Sequence, residues 1–302
     1  MSRFMAWAAA SFLNQSLRLT LLGLLTTTNK ANSLRSPHFH YFLIGDWDPY
    51  DTTSSLDDCT ILVKPAAMKP YTDLGESIMP DGTVFSLHKH DNDFYLKFNG
   101  FELMSTIQTY SEEMLADIGC KHILPDKKTR PEHPSVLIGG LGLGFTLKRA
   151  LQLVGKPATV EVAELMPPLI EWNRTFLVEY NGPLLDDPRT KITQGDFFDI
   201  INDKSPSSYD VLLIDIDNTP DDLITAGNHK MYSPAFLTKL KNILKPGGCV
   251  TYWLSEPAPK FKKLLGKAGF NVEEHAARPH IKAKRSRHCI YVARDKAKTF
   301  SK

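Results

Sequence analysis

From Ser135 to Leu147 the chain reads Ser-Val-Leu-Ile-Gly-Gly-Leu-Gly-Leu-Gly-Phe-Thr-Leu, a stretch that few folds accommodate. Val136 to Ile138 is a short apolar run. Gly139, Gly140, Gly142 and Gly144 then fall within six positions, and Leu147, Ala150, Leu151 and Val154 follow at helical spacing. The pattern predicts a strand, a glycine-rich turn and a helix. Glycine lets a backbone turn tightly and approach a ligand closely, because no Cβ intervenes. A helix N-terminus beside it adds unpaired N–H groups and partial positive charge. No Lys-Ser/Thr pair follows the glycines, which argues against a phosphate-binding P-loop. The next apolar run, 158–165, carries Glu164 near its end. That acid lies about 20 residues past the turn, where nucleotide-binding βαβ units place a carboxylate against ribose hydroxyls. The combined reading is a nucleoside site in a doubly wound α/β sheet.

Later segments extend this pattern. A third strand, 191–196, ends at Asp196, and a fourth, 209–217, ends in Asp215 and Asp217 after a fully apolar middle. A helix around Phe236, Leu237, Leu240 and Leu244 stops at Lys245-Pro-Gly-Gly248; a fifth strand, a short helix and two final strands follow. Upstream, 82–88, 94–98 and 101–104 read as strands of a small antiparallel sheet, with Asn99-Gly100 as a hairpin turn. His88 and His90 share one face of such a strand without an evident third ligand, so they read as solvated strand histidines, and no metal is expected. Gln108 to Gly119 is helical in pattern, and the Pro-rich, charged segment 125–134 reads as a linker. The expected organisation is a leader or extension over 1–45, a small β domain over 46–124, the linker 125–134 and a Rossmann-like seven-stranded domain over 135–302.

Composition excludes several classes. Formal net charge is +2 over 302 residues, so the molecule as a whole is not an electrostatic nucleic-acid binder. The four cysteines are scattered, with no CxxC pair, which fits a reducing compartment and neither a zinc ribbon nor a disulfide framework. The apolar part of the leader, Met5 to Leu25, is interrupted by Asn14, Gln15 and Arg18 and makes a poor membrane span. No acid precedes Asp46, and this basic, Ser/Thr-containing stretch is transit-peptide-like. The expectation is a cytoplasmic protein without a membrane anchor, or an organellar one if 1–45 is a transit peptide.

In an open α/β sheet, ligands bind beyond the carboxyl ends of the strands. Glu164, Asp196, Asp215 and the glycine turn should therefore converge on one site. Taken singly, each acid would read as a helix cap or turn residue.

At these residues the sequence resembles the spermidine/spermine synthase family of aminopropyltransferases, in particular its bacterial synthase-like branch. That family is built on the class I S-adenosylmethionine methyltransferase fold. The resemblance is carried by Asn99-Gly-Phe-Glu-Leu-Met104, Ile138-Gly-Gly-Leu-Gly-Leu-Gly-Phe145, Ala163-Glu-Leu-Met-Pro167 and Asp215-Ile-Asp-Asn218. It implies a polyamine-biosynthesis transferase in which Gly139, Gly140, Gly142 and Gly144 cradle the methionine-derived part of the cofactor. Glu164 would hold the ribose, and Asp196 the adenine amino group with Phe197 beside the ring. Asp215 would orient and deprotonate an attacking amine. Asp217, Asn218 and Tyr232 would border the acceptor.

The resemblance also implies a small-molecule amine acceptor, no metal, and a homo-oligomer joined through the N-terminal sheet. Two departures stand out. Leu143 occupies the place of a family Asp that contacts the donor's aminopropyl amine, and Asp-Ile-Asp-Asn replaces Asp-Ser-Ser/Thr-Asp. The donor is thus S-adenosylmethionine or its decarboxylated form. Three functions stay open: aminopropyl transfer to an amine, methyl transfer to a small molecule or RNA, and nucleoside binding without turnover. Under the second, the basic stretch 278–288 would meet an acidic substrate.

Overall fold

The computed structural model describes residues 70–297 apart from 80–81, 129, 217–218, 222 and 225, together with the strands 34–36, 39–44 and 60–65. For those three strands and for residue 226 the backbone alone is described. The chain divides into two compact units, Met1–Pro70 and Tyr71–Lys302. In the first, β1 (Leu34–Ser36), β2 (Phe39–Ile44) and β3 (Thr60–Pro65) form an antiparallel sheet in sequence order. Two of these strands fall inside the 1–45 leader, where the sequence offers no alternation to announce them. The rest of the leader lies outside the described residues.

The second unit begins with an antiparallel meander, β4 (Thr72–Ile78), β5 (Val84–His90), β6 (Asp93–Phe98) and β7 (Phe101–Ser105). Asn99 and Gly100 both have positive φ, 48° and 81°, as a primed two-residue hairpin turn requires. Phe85, Leu87, Phe94 and Leu96 form its apolar face, and they pack with Leu143, Phe145, Met166, Leu169 and Trp172. On the other face the two histidines have partners. His88 pairs with Asp73 at 2.6 Å and with Ser86 at 2.8 Å, and Tyr71 stacks on His90 at 4.8 Å.

The main sheet has the strand order β10-β9-β8-β11-β12-β14-β13. Its members are β8 (Ser135–Gly139), β9 (Thr159–Glu164), β10 (Thr190–Gln194), β11 (Tyr209–Ile214), β12 (Leu244–Leu254), β13 (Phe270–Ala277) and β14 (His288–Asp295). The first five run parallel, and β14 is antiparallel to both β12 and β13. Every residue of β11 is buried, as expected of a strand covered on both faces. The Lys245-Pro-Gly-Gly segment stops a helix and also opens β12. A Cβ at Gly248 would lie 2.9 Å from the Asp210 carbonyl oxygen, at a register irregularity of β11.

Helices α1 (Tyr110–Gly119), α2 (Phe145–Val154), α3 (Pro167–Thr175), α4 (Phe197–Asn202), α5 (Pro234–Ile243) and α6 (Pro259–Lys267) flank the sheets. The sequence reading placed α1 with the small sheet, within 46–124. The fold packs it against the large one instead: Leu115 and Ala116 join Val136, Ile138, Leu147, Val211 and Leu213 in one core. A Cβ on Gly119 would lie 2.5 Å from Leu213, so glycine is what lets α1 sit this close. Burying each such Leu or Val stabilises the fold by roughly 1.5–3 kcal/mol. Strand order reverses around β8, whose neighbours are β9 and β11, and this opens a crevice at the carboxyl edge. Among the described residues no helix is long and apolar enough to cross a membrane, and no group of three His, Cys, Asp or Glu could hold a metal ion.

Candidate active site

The crevice contains a cavity of ≈ 410 Å³, in the range of small-molecule sites. Its walls come from the glycine turn after β8, the ends of β9, β10 and β11, the start of α1, and β7 of the small sheet.

The turn is held by local rules. Gly140 has φ +86°, and a Cβ there would stand 2.5 Å from the Asp215 carbonyl oxygen, so only glycine fits. Its N–H donates to Ala163 O at 2.9 Å. Gly144, φ +88°, caps α2 and lies against Asn173 and Asn181. Those two amides donate to Gly142 O (2.9 Å) and Leu143 O (2.7 Å), pinning the turn from behind. Of the four glycines, Gly140 and Gly142 line the cavity. Gly139 instead makes room for Phe197 and Ile216.

At one end of the cavity stand Glu164, Asp196 and Phe197. Glu164 is 5% exposed, and both its oxygens accept backbone N–H groups, from Leu141 at 2.8 Å and Met166 at 2.7 Å. Burial raises its pKa, and those N–H groups oppose the rise. Asp196 caps α4, accepting from Phe198 N at 2.8 Å, and keeps a position on the wall. Phe197 is buried and packs edge-on with Phe198 and Phe236. These groups can accept hydrogen bonds and offer an aromatic edge, which suits a nucleoside.

The other end holds a pair the sequence reading did not bring together. Asp215 follows β11, and its Oδ2 accepts from Thr146 Oγ1 at 2.7 Å in the first turn of α2. Burial lifts it to about 6, with the Thr146 hydroxyl opposing. Glu112, from α1, is 6% exposed, and Ser111 Oγ donates to its Oε2 at 2.6 Å. Burial first, and then the Asp215 charge, push Glu112 up to about 8. The two carboxyls therefore titrate together, and burial and their mutual repulsion favour a proton on Glu112. The position of Asp215 at the N-terminus of α2 favours it as the ionised partner. Trp253 and His288, with ring centroids 4.9 Å apart, complete this wall, and burial lowers the His288 pKa.

In sequence, Glu112 falls within Gln108 to Gly119, a segment whose pattern reads as helical and singles out no acid. A usable signal was present: Glu112 shares a helical face with Leu115, Ala116 and Gly119, all buried.

Other sequence candidates fall elsewhere. Tyr232 packs edge-on against Phe261 at 4.8 Å in the core beside β12, and it is not among the cavity-lining residues. Leu143 is fully buried in the cluster under the small sheet, so its side chain is also absent from the cavity wall. Asp217 and Asn218 lie outside the described residues. The basic stretch 278–288 is mostly exposed, with Arg278 over the Tyr110 ring at 5.7 Å.

Comparison with known proteins bears on this geometry. Residues 108–260, half of the chain, match the Spermine/spermidine synthase domain. A polyamine aminopropyltransferase of Pyrobaculum calidifontis is 30% identical over 131 residues, 42% of this chain and 43% of that protein. The chain thus spans under half the length of this relative. A spermidine synthase solved with the transition state analogue AdoDATO superposes with TM-score 0.59 at 17% identity, covering 90% of this chain and 84% of that one. The spermidine synthase of Thermotoga maritima gives 0.56 at 15% identity, covering 89% and 83%. At such identities these two structures speak for the fold.

Proposed function

The chain belongs to the spermine/spermidine synthase domain family, and from that premise we propose that it transfers an aminopropyl group from decarboxylated S-adenosylmethionine to a small amine. The observation that carries the reading is the Asp215 carboxyl, half-buried on the cavity wall and held by the Thr146 hydroxyl. It lies beside the glycine turn on the wall of the same cavity, across β8 in the sheet order from Glu164 and Asp196. The residues fit a sulfonium nucleoside: Gly140 and Gly142 present bare backbone on the cavity wall, and Glu164 and Asp196 offer acceptors to ribose and adenine. The donor supplies an electrophilic carbon bonded to a positively charged sulfur.

The protein's part is alignment and proton removal. Asp215 attracts the acceptor amine, orients its lone pair and takes the proton that nitrogen must lose. A new C–N bond forms as the C–S bond breaks, and the electron pair returns to sulfur, leaving a neutral thioether. Burial helps by raising the basicity of Asp215. Leu143 faces the core and so contacts neither form of the donor.

The test is incubation of the protein with each donor form and a panel of amines, followed by mass spectrometry. An added aminopropyl group supports the proposal; an added methyl group, or no product from any pair, overturns it.

A further inference from the structure

Glu112 is a buried carboxyl that the reaction as written does not use. Its Oε2 accepts from Ser111 at 2.6 Å, and its carboxyl group borders the same cavity as Asp215. Among the described residues no Lys or Arg forms an ion pair with either acid. The buried acids Glu161, Asp210 and Asp295 each have a lysine within 3.2 Å. Glu164, also buried without a cation, instead accepts two backbone N–H groups. A carboxyl taken out of water without a cation, as Glu112 is, is costly, and such groups are ordinarily paired. The remaining titratable groups nearby are Glu113 on α1 and Glu102 and His288 on the wall. Two of these are acids, and His288 is held towards its neutral form by burial. Among the described residues, then, no positive partner faces the two acids.

We propose that Glu112 and Asp215 together bind a primary alkylammonium group, and that Glu112 sets the site's preference for a ligand carrying that cation over one carrying a carboxylate at the same place. This rests on the reading of the cavity as a sulfonium-nucleoside site. The ammonium has two possible sources, the aminopropyl arm of the donor and the acceptor amine. Either one displaces the proton that burial and Asp215 favour on Glu112, because a cation beside a carboxyl lowers its pKa. A Glu112 that only supported the fold would release none.

The experiment is calorimetric titration near neutral pH in two buffers of different ionisation enthalpy. One arm titrates decarboxylated S-adenosylmethionine against the intact form. The other adds 1,4-diaminobutane to the protein saturated with 5′-methylthioadenosine. The expected result in at least one arm is proton release by the wild type. In Glu112→Gln that ligand should bind about tenfold or more weakly, with the release abolished. The arm that responds identifies the source.

The proposal is overturned if the wild type releases no proton in either arm. It is also overturned if both affinities in a folded Glu112→Gln stay within about threefold of wild type. Should Glu112→Gln fail to fold, the wild-type proton count and Glu112→Asp, which keeps the charge, decide the matter. Ammonium binding with proton release but no group transfer would sink the proposed reaction and leave this site standing. Transfer with unaltered binding in Glu112→Gln would sink this site alone.

Discussion

The cavity has acids at both ends, and the two pairs are built differently. At the Glu164 end the carboxylates already accept backbone N–H groups: two on Glu164 and one on Asp196. At the Asp215 end, Asp215 accepts from the Thr146 hydroxyl and Glu112 from the Ser111 hydroxyl and its own backbone N–H, and burial raises both carboxyls. The first pair is fixed by the turns it helps to close, so it can hold a ligand without changing state. The second is incompletely compensated, so its protonation responds to what enters. The same residue type thus serves as a static acceptor in one place and as a titrating group in the other. The number of backbone donors facing it makes the difference.

The largest expected break of this contrast is Asp215→Asn. It keeps the shape and removes the base, so kcat should fall by about 10²–10⁴ while 5′-methylthioadenosine binds as before. Steady-state kinetics beside calorimetry measures both. Turnover within about threefold of wild type would mean that Asp215 is not the base.

Glu164→Ala should behave in the opposite way. It leaves the Leu141 and Met166 N–H groups without their acceptor, at about 1–3 kcal/mol each. Thermal stability and nucleoside affinity should therefore drop together. A loss of affinity at unchanged melting temperature would show that those N–H groups find other partners.

The pH dependence of stability sharpens the contrast further. A carboxyl whose folded pKa is raised binds its proton more tightly in the native state. Its contribution is intact below the unfolded pKa and is lost as pH rises through the folded value. For Glu112 that window runs from the ordinary carboxyl range up to about 8. Wild type should lose stability across it, at up to about 1.4 kcal/mol per unit of the rise, and Glu112→Gln should lose less, keeping only the smaller fall from Asp215. Urea unfolding at the two ends of the window tests this, and parallel losses in both proteins would refute it. The smallest effect is expected for Tyr232→Phe, whose ring packs on Phe261 away from the cavity. The acceptor KM should stay within about twofold, and a larger rise would return Tyr232 to the site.

Much of this was legible in the chain. The strand–turn–helix at Ser135–Leu147, the acids closing three successive strands and the Asn99-Gly100 hairpin all follow from local rules. Turn chemistry, glycine φ and side-chain periodicity act over a few residues, and the sequence records them directly. Parallel order then follows from the alternation of strands and helices. The tertiary structure decided what local rules cannot reach. Leu143 and its glycine neighbours look equally exposed in sequence. With positive φ at Gly142 and Gly144, the turn sends the Leu143 side chain into the Phe145–Trp172 cluster and leaves Gly140 and Gly142 facing the cavity. Helix α1 shows an apolar face, but periodicity does not say which sheet that face covers. Its packing on the large sheet carries Glu112 to Asp215, a residue on a distant strand, and each acid's protonation then depends on the other. That dependence arises from burial and from charge at close range in space, and neither is a property of neighbours along the chain.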